Sequence, residues 1–439
     1  MKALTGPHDA AFFQDGIERD QQIQVQAFEP HWLISNLSIP GVIIINSSNS
    51  RTGCSERTAA QVLELNRAAE QNHLLWEEPL IKPWIFEFMQ APNLGAGEVR
   101  QDLASAVFDE AFGFWLEAER MGFEGIFFSE HHFGLSYSPS PNLLIAAVSR
   151  RTTRLRLGTM GMVVPLYAPW RIVEELAMLD HLTNGRLEIG FAAGVPQELL
   201  RVGLSMEEAR ERFNESLEIL DAALVRPVVN HKGKYWKFEN LTLMPNVFLQ
   251  PSPPKWTTVV STGSAQRSAQ RRSKICTGFE SVGRITEIFD VYRNESAELG
   301  VAVGPDQLAI RRNVCISHDE AEAREASRAE KAATLKVVAG DPRVVANSSP
   351  LLDAPRAGSG FSLHDDDYIA GTPAQVIEQI IDQCRRCGAG HFLAMLGRGA
   401  TANRRQTQTL FGEEVIPQLR RALVDRPDRS ARTCDKSPR

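Results

Sequence analysis

The chain has 439 residues, 43% of them hydrophobic and 23% charged, with a formal net charge of −6, the composition of an ordinary globular protein. No apolar run approaches the roughly 20 residues of a membrane-crossing helix, and a mildly acidic balance without a Lys/Arg stripe speaks against neutralising a phosphate backbone, so neither a membrane nor nucleic acid is an expected partner. The N-terminus, with Lys2 and then Gly6-Pro7-His8-Asp9, lacks the apolar stretch and small-residue cleavage site of a secretory signal, and a cytoplasmic location is expected.

In chain order, residues 1–81 carry one amphipathic helix candidate (56–71) and an apolar stretch (39–45) but no strand–helix alternation, and read as an irregular N-terminal extension. From residue 82 short apolar runs alternate with long amphipathic ones, the signature of βα units around a parallel sheet. Strands are predicted over 84–89, 125–129, 155–159, 187–191, 257–261, 274–278, 308–316 and 392–396. Helices are predicted over 99–121, 142–151, 170–182, 206–225, 265–273, 285–299, 320–334, 374–387 and 407–423. In the first of these helices Val107, Phe108, Ala111, Phe112, Trp115 and Leu116 recur at three- and four-residue spacing. The unbroken Ile126-Phe127-Phe128 suits a strand covered on both faces. Eight strands of this kind predict an α/β fold, a (β/α)8 TIM barrel with insertions over 82–424.

Two insertions interrupt the repeat. Residues 231–243 alternate aromatic and polar side chains (Tyr235, Trp236, Phe238) and predict a β-hairpin at the bottom or side of the barrel, ending in the stiff Pro251-Ser252-Pro253-Pro254. Residues 337–368, rich in Gly, Pro, Ser and Asp and including Asp365-Asp366-Asp367, follow the seventh strand and are expected to form a mobile loop or lid on the catalytic face. Residues 425–439 form a basic tail. Of the six cysteines, Cys384 and Cys387 are the close pair; they fall inside a helical pattern and are expected to be thiols beside a helix face.

Barrel enzymes draw their chemistry from the C-terminal ends of the strands. Glu130-His131-His132-Phe133 follows the second strand, and histidine can accept, hold or return a proton near neutrality. Consecutive side chains on extended backbone point apart, so the two rings are not expected to share an ion, and no metal site is expected. Gly158 and Gly161 bracket the end of the third strand, and Gly190-Phe191-Ala192-Ala193-Gly194 ends the fourth. Small residues there leave room for a planar ring system or relieve crowding at the barrel top. Ser261-Thr262-Gly263-Ser264 opens a helix after the fifth strand, as a phosphate cradle or as an ordinary N-cap; Arg210, early in the fourth helix, is the candidate for a permanent charge beside it.

Together these motifs resemble the flavin-dependent luciferase-like monooxygenases, the group that includes the alkanal monooxygenase α chain. The resemblance runs from Trp84 to Leu423. It is carried by Met121-Gly122-Phe123 leading to Glu130-His131-His132-Phe133, by Leu157-Gly158-Thr159 through Pro165, by Glu174-Glu175 through Leu179-Asp180-His181-Leu182-Thr183-Asn184-Gly185-Arg186, by the turn from Gly190 to Gly194, and by Gly371-Thr372-Pro373. It implies a TIM barrel that takes reduced FMN from a separate flavin reductase, reacts with O2 through a flavin 4a-hydroperoxide and oxygenates a small, mostly apolar organic substrate. It further implies His131 as the catalytic acid/base, a non-proline cis peptide at Met160-Gly161 against the isoalloxazine ring, and Arg210, Thr262, Gly263 and Ser264 around the FMN phosphate. Ala192 stands where the α chain has a reactive cysteine, and Ala193 where it has an arginine. A homodimer or paired barrel is implied by analogy. Two other readings stay open: a deazaflavin-dependent oxidoreductase on the same barrel, and a non-catalytic flavin-binding subunit.

Overall fold

Among the described residues twelve strands are formed: β1 (Lys82–Glu87), β2 (Gly125–Phe128), β3 (Arg156–Thr159), β4 (Met162–Val163), β5 (Leu187–Ala192), β6 (Val228–Lys232), β7 (Lys237–Thr242), β8 (Lys255–Thr258), β9 (Lys274–Thr277), β10 (Leu308–Ile316), β11 (Tyr368–Gly371) and β12 (His391–Leu396). Of these, β1, β2, β3, β5, β8, β9, β10 and β12 pair in parallel in that order, and β12 pairs back onto β1, so the sheet closes on itself as a TIM barrel. The computed structural model describes residues 81–90, 101–133, 136–338, 363–397 and 402–421. The expected N-terminal extension with its helix candidate, most of the 337–368 loop and the basic tail lie outside the described residues.

The helices are α1 (Gln101–Met121), α2 (Pro141–Ser149), α3 (Pro169–Thr183), α4 (Pro196–Arg201), α5 (Met206–Ala223), α6 (Thr262–Gln270), α7 (Val282–Glu298), α8 (Glu320–Val338), α9 (Pro373–Cys387), α10 (Ala402–Leu410) and α11 (Ile416–Arg421), the last two joined by a π-helical turn, Phe411–Val415. None of them is long and apolar enough, among the described residues, to cross a membrane.

Side-chain alternation sorts the core into two layers. Trp84, Phe127, Met160, Trp256, Cys276, Ala309 and Leu393 fill the barrel's interior, while Ile85, Ile126, Phe128, Leu157, Ile189, Ile275 and Ile310 join the cluster that the helices cover. Strands buried on both faces leave little room for polar residues, which is why β2 and β12 read as apolar runs.

The N-terminal end of the barrel is sealed by paired polar groups. Trp84 Nε1 donates to His391 Nδ1 at 2.9 Å, and Trp256 Nε1 donates to Glu188 Oε2 at 2.6 Å, whose other oxygen takes Arg156 Nε at 2.6 Å. Burial, together with the charges of Lys274 and Lys82, pushes His391 down to about 3, so its ring is neutral and free to accept from the indole.

Of the two uses left open for the glycines at the strand ends, Gly158 and Gly190 serve the relief of crowding. A Cβ on Gly190 would sit 1.9 Å from the Thr159 carbonyl oxygen, and one on Gly158 2.4 Å from that of Glu188. These two positions let β3 and β5 approach each other; they are closed by backbone and offer no space to a ring.

The predicted hairpin is present as antiparallel β6 and β7. It lies at the side of the barrel, held to α5 by Glu215, which accepts the N–H groups of Lys234, Tyr235 and Trp236. Cys384 and Cys387 are buried free thiols whose pKa values are raised by burial, so they behave as small core residues.

β11, assigned to loop or connection by the sequence reading, adds in parallel to the outside of β10. It is preceded by the aspartate triplet, each member of which grips a different element. Asp365 pairs with Lys331 of α8, Asp366 accepts the N–H of Val282 at the start of α7 (2.8 Å), and Asp367 enters the wall of the barrel itself. There it takes Arg311 NH1 at 2.8 Å, Asn313 Nδ2 at 2.7 Å, Arg312 NH1 at 3.4 Å and the N–H of Phe279 at 3.1 Å.

Candidate active site

The ladder between β1 and β2 continues one residue past Phe128, with Ser129 N–H donating to the Glu87 carbonyl at 3.0 Å. The chain then turns, and the turn is fixed from within: Ser138 Oγ donates to the Ser129 carbonyl at 2.7 Å and His131 N–H to the Ser138 carbonyl at 3.3 Å. His131 therefore stands at the C-terminal rim, as its place after a strand predicted. Its ring lies against Phe88 with centroids 4.6 Å apart, and its Nδ1 is 2.9 Å from Glu198 Oε1. Nε2 makes no hydrogen bond among the described residues.

His132 goes another way. Its Nε2 is 2.9 Å from Glu130 Oε1, and the other oxygen of Glu130 accepts the N–H of Val163 at 3.1 Å. The hydrogen bond to Glu130 raises the His132 pKa above its ordinary value against the opposing effect of burial. Burial first, and then the Glu130 carboxylate, raises that of Tyr167, which stays a neutral phenol. The two imidazoles thus diverge onto separate carboxylates. Among the described residues no group of three or more His, Cys, Asp or Glu is arranged to hold a metal ion.

Just past the end of β3, the neighbour of β2, the Met160-Gly161 peptide is cis, and Gly161 packs on the end of β5: a Cβ there would lie 2.7 Å from the Phe191 carbonyl carbon and 3.0 Å from Ala192 N. Met160 N–H donates to the Phe128 carbonyl at 2.8 Å, and Thr258 Oγ1 donates to Met160 Sδ at 3.7 Å.

Thr262, Gly263 and Ser264 form the first turn of α6. Ser261 and Ser264 satisfy each other in a capping box, Ser264 N–H donating to Ser261 Oγ at 3.2 Å and Ser264 Oγ to the Ser261 carbonyl at 2.7 Å. The N–H groups of Thr262 and Gly263 have no acceptor among the described residues. A Cβ at Gly263 would meet only Arg267 NH1, at 3.6 Å, so the space over this helix end is open and bordered by a guanidinium. Arg210 is exposed, one turn into α5, and makes no hydrogen bond to this turn among the described residues.

Glu198 was missed by the sequence reading. Its helix α4 has six residues, too few for a periodicity to register, although Pro196 at the first position and an acid in the first turn are start signals. Arg201, at the other end of the same helix, was missed for the same reason.

With this geometry in place, likeness to known proteins becomes informative. The signature of the luciferase-like monooxygenases matches residues 88–391. The oxygenase component of flavin-dependent trigonelline monooxygenase from Acinetobacter baylyi is 27% identical over 236 residues, 52% of this chain and 64% of that protein. The alkanal monooxygenase alpha chain of Aliivibrio fischeri is 30% identical over 142 residues, 32% of this chain and 40% of that one. The match thus spans less than two thirds of either relative. Among solved structures, monooxygenase RslO1 from Streptomyces bottropensis has a TM-score of 0.65 at 25% identity, covering 77% of this chain and 99% of its own. The match across most of the barrel, from the end of β1 to the start of β12, shows that this chain belongs to the luciferase-like monooxygenase family.

Proposed function

We propose that the protein is the oxygenase component of a two-component monooxygenase that uses reduced FMN and O2 to oxygenate a small, mostly apolar organic molecule. The observation that carries the reading is His131 at the barrel rim, seated on Phe88 with Nε2 making no hydrogen bond among the described residues. FMN fits the residues present. The bare N–H groups of Thr262 and Gly263, with Ser264, Arg267 and Arg210, would hold its phosphate, as helix N-termini and guanidinium groups do. Arg267 supplies charge on a rim where Ala193 has none. Met160, Gly161 and Ala192 would line the ring's place.

When bound, reduced FMN supplies the electrons and the means of activating O2, and a separate flavin reductase would deliver it. The chain's own residues orient the substrate against the His131 imidazole, which holds or returns a proton. Phe88 covers one face of that ring, and exclusion of water there would favour a short-lived oxidant over its decay.

Stopped-flow mixing of the protein with reduced FMN and O2, against a panel of aldehydes, ketones, thioethers and sulfonates, tests the reading. Product formation coupled to oxygen uptake supports it. Hydride transfer from a reduced deazaflavin without oxygen uptake would replace it, and flavin binding without turnover would make the protein a non-catalytic subunit. Arg267→Ala and Arg210→Ala are each expected to weaken FMN binding roughly 10- to 100-fold, the worth of a hydrogen bond to a charged group, with riboflavin binding unchanged; fluorescence titration of both ligands checks this.

Exposed apolar side chains support the paired barrel. Leu143 on α2 is 71% exposed, and Trp170 and Met178, eight residues apart on one face of α3, are 37% and 54% exposed. Leu143→Glu combined with Met178→Glu is expected to turn a dimer into a monomer in sedimentation velocity.

A further inference from the structure

We infer that Glu198 is a positioning residue that makes Nε2 the working atom of His131, and that helix α4 is the clamp that holds it to that task. The inference rests on the assignment of His131 as acid/base, and it adds which ring nitrogen acts and what fixes it.

A neutral imidazole carries its proton on one nitrogen, and the hydrogen bond made by the other side of the ring decides which. An ionised carboxylate only accepts. With Nδ1 2.9 Å from Glu198 Oε1, neutral His131 carries its proton on Nδ1 and leaves the Nε2 lone pair exposed to the mouth. Glu198 is 2% exposed while the His131 side chain is 23% exposed, so the carboxylate lies on the inner side and the ring on the outer. His132 is held through the opposite nitrogen, Nε2, by Glu130. Of the two neighbours, His131 is therefore the one that turns a free Nε2 outward.

The carboxylate is itself anchored. Leu199, fully buried, packs with Val163 and Ala209 and pins α4 to the barrel. At the far end of the helix Arg201 NH1 donates to the Phe133 carbonyl at 3.2 Å, and the guanidinium sits 6.0 Å from the Phe133 ring centroid. Phe133 has a φ of 61°, a left-handed conformation that a bulky residue adopts only when its surroundings impose it. The two ends of one short helix thus grip two residues of one turn, His131 and Phe133.

When His131 acts as a base, the proton leaves the substrate's X–H bond and forms a bond to Nε2, its electron pair staying on the substrate atom. The Nδ1 proton does not move, and Glu198 stays ionised beside the new imidazolium. The other oxygen, Glu198 Oε2, is buried without a hydrogen-bond partner among the described residues, so the ring is this carboxylate's side-chain partner there and the coupling between the two is direct.

The test is 15N NMR of histidine-labelled protein without flavin, alongside turnover of the full enzyme. The wild type is expected to show His131 protonated on Nδ1 and bare on Nε2. Glu198→Leu is expected to move a substantial share of that proton to Nε2 and to lower kcat roughly 100-fold or more, as loss of a general base's orienting partner does, with the Kd for FMN changed less than about threefold. Glu198→Gln, nearly isosteric, keeps an acceptor on Nδ1 and is expected to keep the tautomer while losing kcat, which separates the charge from the geometry if the Leu variant folds poorly. An unchanged tautomer in Glu198→Leu, or wild-type kcat in both variants, overturns the inference. Loss of turnover on replacing His131 alone, with an unaltered tautomer in Glu198→Leu, would leave the oxygenase reading standing and remove only the role of Glu198.

Discussion

Asp367→Ala is expected to destabilise the barrel by about 3–5 kcal/mol, the range for removing one partner of a buried ion pair. Asp367 and Arg312 are fully buried and Arg311 is 2% exposed, and the one carboxylate serves both guanidinium groups. Without it two permanent cations face each other inside the wall of β10, with the Arg311 guanidinium stacked 4.3 Å from the Phe279 ring centroid and unable to turn towards water. The same truncation removes the carboxylate to which Phe279 N–H and Asn313 Nδ2 donate, so the loss reaches the segment after β9 and the middle of β10 together. Since whole domains are typically stable by only about 5–15 kcal/mol, the variant should unfold at a markedly lower urea concentration, measured by circular dichroism, with the slope of the transition unchanged. Asp367→Asn keeps the hydrogen-bonding shape without the charge and is expected to fall between the wild type and the Ala variant.

His131→Gln is the second large effect, this one on turnover. Loss of a positioned proton carrier costs roughly 10²–10⁴-fold in rate, and product formation with a responsive substrate is expected to fall by that factor. FMN affinity is expected to change little, because the proposed phosphate contacts on α6 are made by other residues. The thermal midpoint is expected to fall by several degrees, because loss of the ring opens no cavity in either core layer but leaves the buried Glu198 carboxylate without its side-chain partner. His132→Gln is the matched control: that ring is tied to Glu130 rather than presented to the mouth, and its loss should cost much less turnover. Single-turnover kinetics on both variants, with oxygen uptake followed in parallel, measures the difference.

How far these features could be read from residues alone depends on the range over which each is determined. The barrel strands were legible because most are short apolar runs set by their own burial, β8 (Lys-Trp-Thr-Thr) and the Arg311-Arg312-Asn313 of β10 being the departures. The fifth, predicted at 257–261, lies at Lys255–Thr258 because the apolar Val259 and Val260 that extend the pattern already belong to the connection leading to the Ser261 cap. The place of His131 was legible for the same local reason, as the third residue beyond a buried strand. Its partner was not, because Glu198 lies 67 residues away on a helix of under two turns, and the contact exists only once β2 and β5 are set in one wall. Glycine was ambiguous in principle: Gly158 and Gly190 look like space for a ligand until the opposing carbonyls are placed, and then they are the space the backbone needs.

Closing the ring through β1 and β12 has a consequence for how the molecule is made. The indole of Trp84 meets its acceptor on His391 across 307 residues of chain. During synthesis at about 5–20 residues per second, the first barrel strand waits roughly 15–60 s for the last one. Through that interval every ribosome-bound intermediate carries an unpaired β1 edge with Trp84 and Ile85 unburied on that side, a template for wrong pairing with neighbouring chains. Expression yield should therefore respond strongly to temperature and to chaperone supply, and truncation anywhere before β12 should yield insoluble protein rather than a smaller folded one.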